Sequence, residues 1–202
     1  MLVTTRQCPF GQHGARPFYG SKMTDRYIVG IDPSINHTGY GIIKTEGKIV
    51  EHIRSGVIKS DKELTHLRYG IIATVMQDIF DRTFSSFPFL PNILTVVEMP
   101  TFENSARGRD LVKKKGLTKL CIATGVSLGT AVLNGSSFAM VTAKQWKGTV
   151  GKPLIRRRVE EIFPQIQVWQ REDEWEALGI ALWANAHPDK LKVFEVSEGE
   201  EK

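Results

Sequence analysis

At 202 residues the chain can build one domain with a full hydrophobic core, with or without a tail. Lys and Arg total 27 against 22 for Asp and Glu, a net charge of +5 that favours an anionic partner such as nucleic acid. Cys8 and Cys121 share no disulfide or zinc spacing, and no apolar run reads as a membrane span or secretory leader, so the expectation is a soluble, cytoplasmic protein with no membrane partner.

Residues 1–24 are rich in Gly, Arg, Pro and Gln and lack periodicity, so they are expected to form a disordered N-terminal extension. Cys8 and His13 fall in it, and two candidate ligands do not make a metal site. Residues 25–187 are expected to form the folded domain, and residues 188–202 a charged C-terminal tail.

Residues 26–44, RYIVGIDPSINHTGYGIIK, read as strand, turn and strand. Tyr27, Ile28, Val29 and Ile31 are β-formers in an apolar run, as in a strand buried on both faces. Asp32 ends that run. Pro33, Ser34, Asn36 and Gly39 carry turn chemistry, and residues 40–44 restart the β pattern. Residues 48–59 read as a third strand, and the short turns suggest antiparallel pairing. Residues 63–84 form an amphipathic helix, with Leu64, Leu67, Ile71, Val75, Ile79 and Phe80 at helical spacing. Residues 92–98, NILTVVE, form a short buried strand that ends on a second acid, Glu98.

The segment 101–116 carries Arg107, Arg109, Lys113, Lys114 and Lys115 with few apolar anchors, as a basic loop or short exposed helix. Residues 117–133 form a small-residue helix expected to pack closely on a sheet. Residues 137–141 are a strand. Residues 143–150 contain Lys144, Trp146 and Lys147. Residues 154–163 form a helix with Arg156, Arg157 and Arg158 near its start, and residues 172–186 form the last helix. Three strands, then alternating helices and strands, give an α/β chain with a mixed five-stranded sheet flanked by helices.

The acids draw attention as a set. Asp32 and Glu98 sit at strand ends. Asp173 and Glu176 are three apart on the last helix and share one face. That face continues into Ala177, Ile180 and Ala184, while Trp175, Leu178 and Leu182 occupy the other side, so the helix should be buried. First-turn acids also suit a helix dipole, and for that pair alone this reading is as good as a functional one. Acids from three elements could also converge on one cleft. Crowded carboxylates repel unless cations neutralise them, and an oxygen-only cluster suits Mg²⁺ or Mn²⁺. Two such ions about 3.5–4 Å apart can activate water and stabilise the leaving oxygen of a phosphodiester.

The stretches IVGIDPSINHTGYGII, VVEMPTF, VTAKQWKGTVGK and DEWEALGIALW, in this order, resemble the RuvC family of Holliday junction resolvases, its phage-type members included. The resemblance spans residues 26–186. It implies a ribonuclease-H-like fold, a homodimer, and cleavage of four-way DNA junctions with divalent metal, two ions per site. By this resemblance Asp32, Glu98, Asp173 and Glu176 are the catalytic acids and metal ligands. The family usually has Asp where this chain has Glu176, and Glu172, one turn away, could substitute for Asp173. Lys147 and Lys152 match lysines near the junction phosphates. Phe102 lies near an aromatic that stacks on bases at the crossover. The longer-than-usual segment after Glu98 puts Arg107, Arg109, Lys113, Lys114 and Lys115 among the DNA-binding candidates. The helix at 117–133, with Ala123, Gly125 and Ala131, is the candidate dimer interface.

Other residues have plainer readings. His37 reads as a loop residue. Trp146, Trp169, Trp175 and Trp183 read as core or interface anchors. Arg156, Arg157 and Arg158 suit a solvated helix face as well as phosphate contact. The leading function is a structure-selective, metal-dependent endonuclease. Its alternatives are another ribonuclease-H-like nuclease acting on RNA–DNA hybrids or branched DNA, and a catalytically weak junction-binding protein. A sugar-kinase or actin-like domain also opens on Gly-Ile-Asp, but needs a second lobe for which this chain is too short.

Overall fold

The first strand, β1 (Arg26–Asp32), lies inside a six-stranded sheet, and its apolar run is buried on both faces as its composition requires. The structure is a computed structural model that describes residues 25–60, 64–87, 92–100, 116–166 and 171–195. β2 (His37–Glu46) and β3 (Ile49–Lys59) continue from β1 as an antiparallel meander, with Gly47 at φ 60° in the tight turn between them. β4 (Asn92–Met99) lies parallel to β1, and β5 (Ser137–Thr142) parallel to β4. The sheet order is β3-β2-β1-β4-β5-β6.

The sixth strand corrects the sequence reading of five strands. β6 (Val193–Phe194) pairs antiparallel with β5, inside the segment expected to be a charged tail. Its anchor is aromatic: Phe194 stacks on Phe138 at 5.1 Å between ring centroids. A two-residue strand flanked by charges carries no alternation from which it could be read.

Helices cover both sheet faces. α1 (Thr65–Phe84) and α2 (Gly116–Leu133) lie on one, with Ile31, Ile42, Ile72, Met76, Phe80, Val97 and Ala123 in the core between. The buried stripe of α1 is Ile72, Met76, Ile79, Phe80 and Phe84, whereas Leu64 and Leu67 are exposed. The other face carries the short α3 (Ala143–Trp146), α4 (Lys152–Ile162) and α5 (Glu172–Ala186). Its core joins Ile28, Ile43, Leu94, Val96 and Val141 to Trp146, Val159, Phe163, Leu178 and Ile180.

α2 departs from the sequence reading twice. It is long and apolar enough to cross a membrane by length and composition, although no such run was expected. It packs on α1, β4 and β5 with 28% of its span buried. Ala123 and Ala131 are fully buried within their own chain, so they are not available to a second copy, while nothing lies within 4 Å of a Cβ placed on Gly125.

α5 approaches the sheet more closely than side chains would allow. A Cβ on Gly30 would fall 2.1 Å from the Ala177 carbonyl oxygen and 2.8 Å from the Ala181 nitrogen. A Cβ on Gly39 would fall 1.9 Å from the Asp173 carbonyl oxygen, and one on Gly41 would meet Leu178 at 2.8 Å. The helix backbone therefore rests on a floor of glycines across β1 and β2.

This contact gives a paired test. Gly30→Ala forces backbone apart, so it should destabilise the fold by about 2–3 kcal/mol in chemical denaturation. Gly70, on the exposed side of α1, would have nothing within 4 Å of an added methyl group, and Gly70→Ala should stabilise by about 0.5–1 kcal/mol. Equal effects of the two substitutions would mean that α5 does not depend on the close approach.

Candidate functional site: carboxylates at the ends of β1 and β4

Strand alternation gathers the acids. Ile28 and Gly30 face α5, so Asp32 faces the same way. Leu94 and Val96 belong to that same core, so Glu98 projects there too. β1 and β4 are parallel neighbours with Ile31 opposite Val97, which places Asp32 beside Glu98. On α5, Ala177 rests on Gly30 and Asp173 on Gly39. One helical turn toward the N-terminus, about 5.4 Å, therefore brings the acids of α5 level with the strand ends.

Asp32 and Asp173 carry the mark of this crowding. Burial pushes the Asp32 carboxyl well above its ordinary range, and Glu98, Glu176 and Asp173 push it further, against a pull from Lys147. Burial also raises Asp173. There the charge of Glu176 adds to the rise, while His37, Lys152 and a backbone hydrogen bond oppose it. The first turn of α5 holds Glu172, Asp173 and Glu174, whose charges suit the positive end of the helix.

Two lysines lie on these acids. Lys147 Nζ donates to Glu176 Oε1 at 2.8 Å and sits 3.7 Å from Glu98 Oε2. Lys152 Nζ reaches Glu176 Oε2 at 3.3 Å and also pairs with Glu172. The Glu176 side chain is only 5% exposed, and a buried carboxylate with both oxygens on ammonium groups is far better placed than a lone one. Burial pulls the Lys147 ammonium down, but its hydrogen bond to Glu176 and the charges of Glu98, Glu176 and Asp32 outweigh that, so it is held charged.

Trp146 plays a part that the sequence reading missed. It is a core residue, as expected, but its Nε1–H also donates to Glu98 Oε2 at 2.6 Å. Its own position is fixed by a capping box. The Thr142 hydroxyl accepts from Gln145 N, and the Gln145 side chain accepts from Thr142 N at 2.8 Å. The Thr-x-x-Gln spacing is a sequence signal for that cap. No sequence signal points from the indole to Glu98. A cavity of about 190 Å³ beside Trp146, between α4 and α5, is lined by Ile155, Val159, Leu182 and Trp183 together with Lys147 and Arg158, and by no acid.

The donor chemistry fits a hard divalent cation: oxygen-only, crowded, partly buried, and already attracting two ammonium groups. As they stand, no three metal-ligating side chains among the described residues gather closely enough to hold an ion together. Lys147 bridges Glu98 and Glu176 and fills that role of counter-charge. Phe102, Arg107, Arg109, Lys113, Lys114 and Lys115 lie outside the described residues. Arg156 and Arg157 pair with Glu160 and Glu161 one turn along α4, which favours the solvated-face reading for both.

The raised Asp32 carboxyl predicts a pH-dependent stability difference. Its folded pKa lies above its ordinary value of 3.8, so ionisation opposes folding. That penalty is absent below the unfolded pKa and grows as pH rises toward the folded one. Asp32→Asn should therefore unfold at a higher temperature than the parent in metal-free buffer at neutral pH. The gain should disappear once the pH falls below the ordinary carboxylate range. A gain independent of pH would show that charge crowding is not its cause.

The chain resembles known proteins in sequence and in fold. The family profile described as crossover junction endodeoxyribonuclease RuvC matches residues 28–154, which include β1, β4 and α3 but stop short of α5. A crossover junction endodeoxyribonuclease RuvC of Erythrobacter litoralis is 26% identical over 163 residues, covering 77% of this chain and 90% of the relative. The protein of that name in Dichelobacter nodosus is 34% identical over 128 residues, or 62% of this chain and 63% of the relative. Among solved structures, T. thermophilus RuvC in complex with Holliday junction substrate superposes with a TM-score of 0.65 at 23% identity, covering 83% of this chain and 99% of that one. The fold is thus shared, and with the profile matching well over half of its length, the chain belongs to the RuvC family of crossover junction endodeoxyribonucleases.

Proposed function

We propose that this chain resolves four-way DNA junctions by metal-dependent hydrolysis of phosphodiesters, with Asp32, Glu98, Glu176 and Asp173 as the acids that hold the metal. The observation that carries the reading is the convergence of these acids from β1, β4 and α5 in a member of this family. The family is divalent-metal dependent. Mg²⁺, with Mn²⁺ as a substitute, suits the all-oxygen donor set, and two ions are proposed per site.

When bound between the carboxylates, such ions would activate the attacking water and stabilise the leaving oxygen. The chain's own residues do the rest. Asp32 is the central acid, on the strand best fixed by its neighbours. Trp146 holds one oxygen of Glu98 and thereby fixes which way that carboxylate faces. Lys147 pairs with Glu98 and Glu176, and with their charge neutralised by bound metal its ammonium would be available to the non-bridging oxygens of the phosphate. Lys152 sits further out and is half-exposed, as suits a backbone contact flanking the cut. The basic residues from Arg107 to Lys115 add salt-sensitive affinity without reading sequence.

A junction of near two-fold symmetry needs paired cuts, and a C₂ homodimer supplies two equivalent sites. The outward face of α2 supports this. Ile122 is 43% exposed and Leu133 86% exposed, and Gly125 and Gly129 between them are open. An apolar face of this kind is a better interface candidate than the buried alanines.

Two measurements test the proposal. A synthetic four-way junction, a fork and an RNA–DNA hybrid should be compared with and without Mg²⁺. Paired, metal-dependent nicks in the junction are expected, and Asp32→Asn should lose cleavage by at least about a thousandfold while still binding the junction. Preference for the hybrid would replace the reading with the ribonuclease-H-like alternative. For the dimer, light scattering should give twice the chain mass for the parent and the single mass for Leu133→Glu combined with Ile122→Glu. A parent that is monomeric both free and on the junction would rule the interface out.

A further inference from the structure

The mouth of the site has a second wall, on the β2 side, that no residue discussed so far occupies. His37 is the first residue of β2 and is exposed. Gly39 and Gly41, at alternate positions behind it, face Asp173 and Leu178 of α5. Alternation puts His37 on the same face, one step beyond the N-terminal end of that helix. Its charge acts on the Asp173 carboxyl and is not among the charges that shift Asp32.

The turn that carries His37 is held from three directions. The Thr38 hydroxyl, fully buried, donates to the Ser34 carbonyl at 2.8 Å. Ser60, at the end of β3, donates its backbone N–H to the Asn36 carbonyl at 2.9 Å and its hydroxyl to the Ile35 carbonyl. Arg68 of α1 donates to the Asn36 side chain. The backbone that presents the exposed imidazole is thus fixed in place.

The strand order gives the scale. Along the sheet end the series runs His37 on β2, Asp32 on β1 and Glu98 on β4, and the Lys147 ammonium lies 3.7 Å from Glu98. Two strand spacings make about 10 Å. At about 3.4 Å of helix axis per phosphate on one strand, that is roughly three phosphates. His37 is therefore placed for a different phosphate from the one nearest Lys147.

We propose that His37 binds a backbone phosphate flanking the scissile one, on the β2 side of the carboxylate site and away from Lys147, and so fixes the register of the strand being cut. This rests on the junction-nuclease reading. An imidazole N–H donor suffices for the contact, so the role does not require a charged ring.

The test uses the full chain with His37→Ala and His37→Asn. Thermal unfolding of both should match the parent, since the side chain is exposed. Four-way junction binding without divalent metal should weaken by about tenfold in the alanine variant, as for loss of one hydrogen bond to a charged group. With Mg²⁺, KM should rise by a similar factor while kcat stays within about twofold, because the contact is made equally before and during the chemical step. His37→Asn, which keeps a donor, should recover part of the loss. Parent-like binding and KM in the alanine variant would overturn the proposal. So would a fall in kcat at unchanged KM, which would place His37 on the reacting atoms or acting through Asp173. If the parent itself neither binds nor cuts the junction, the junction reading fails first and the His37 contact with it. If the parent cuts and the variant matches it, only the His37 contact fails.

Discussion

Everything at the site depends on how closely one helix lies on the sheet. α5 rests its backbone on Gly30, Gly39 and Gly41, where any Cβ would collide with it. Over ordinary strands, side chains hold a packed helix off the sheet and fill the gap between them. Here the gap is removed, and two small residues, Ala177 and Ala181, complete the contact. The first turn of the helix is thereby drawn to the level of the strand ends. Asp173 and Glu176 come level with Asp32 and Glu98 because the glycines beneath α5 have no side chains.

The same closeness creates the electrostatic problem that the rest of the site answers. Four carboxylates brought into a partly buried region repel, and Asp32 feels the charge of all three others. Lys147 and Lys152 offset this charge from elements on the other side of the sheet end. Their presence makes the acids compatible with folding. A divalent ion held by these acids would compete with the resident ammonium groups.

Much of this was legible in the sequence, for physical reasons. β1 showed itself as an apolar β-branched run ending on an acid. α5 was bounded at residues 172–186 because it begins with three acids, stays apolar to Ala186 and meets a proline soon after. Other features depend on long-range contacts and left no local mark. The indole of Trp146 meets Glu98 across 48 positions of sequence, and nothing near either residue names the other. His37 looked like turn material because its position beside Asp173 exists only once β2 and α5 have packed. Lys147 and Lys152 were assigned to phosphates, yet they rest on carboxylates. Residue type identifies a cation's preference for oxygen anions and does not say which anion it meets first.

Glu176 shows how one methylene bears on that competition. By resemblance the position usually holds Asp, which is shorter by about 1.5 Å, one carbon–carbon bond. With the longer arm, Glu176 places one oxygen 2.8 Å from Lys147 and the other 3.3 Å from Lys152, although its side chain is nearly buried. An aspartate at the same backbone position would hold its carboxylate further from at least one of these ammonium groups. The longer acid therefore ties α5 to α3 and α4 together in the metal-free state. The extra methylene therefore bears first on the two lysines, which hold both oxygens of a nearly buried carboxylate.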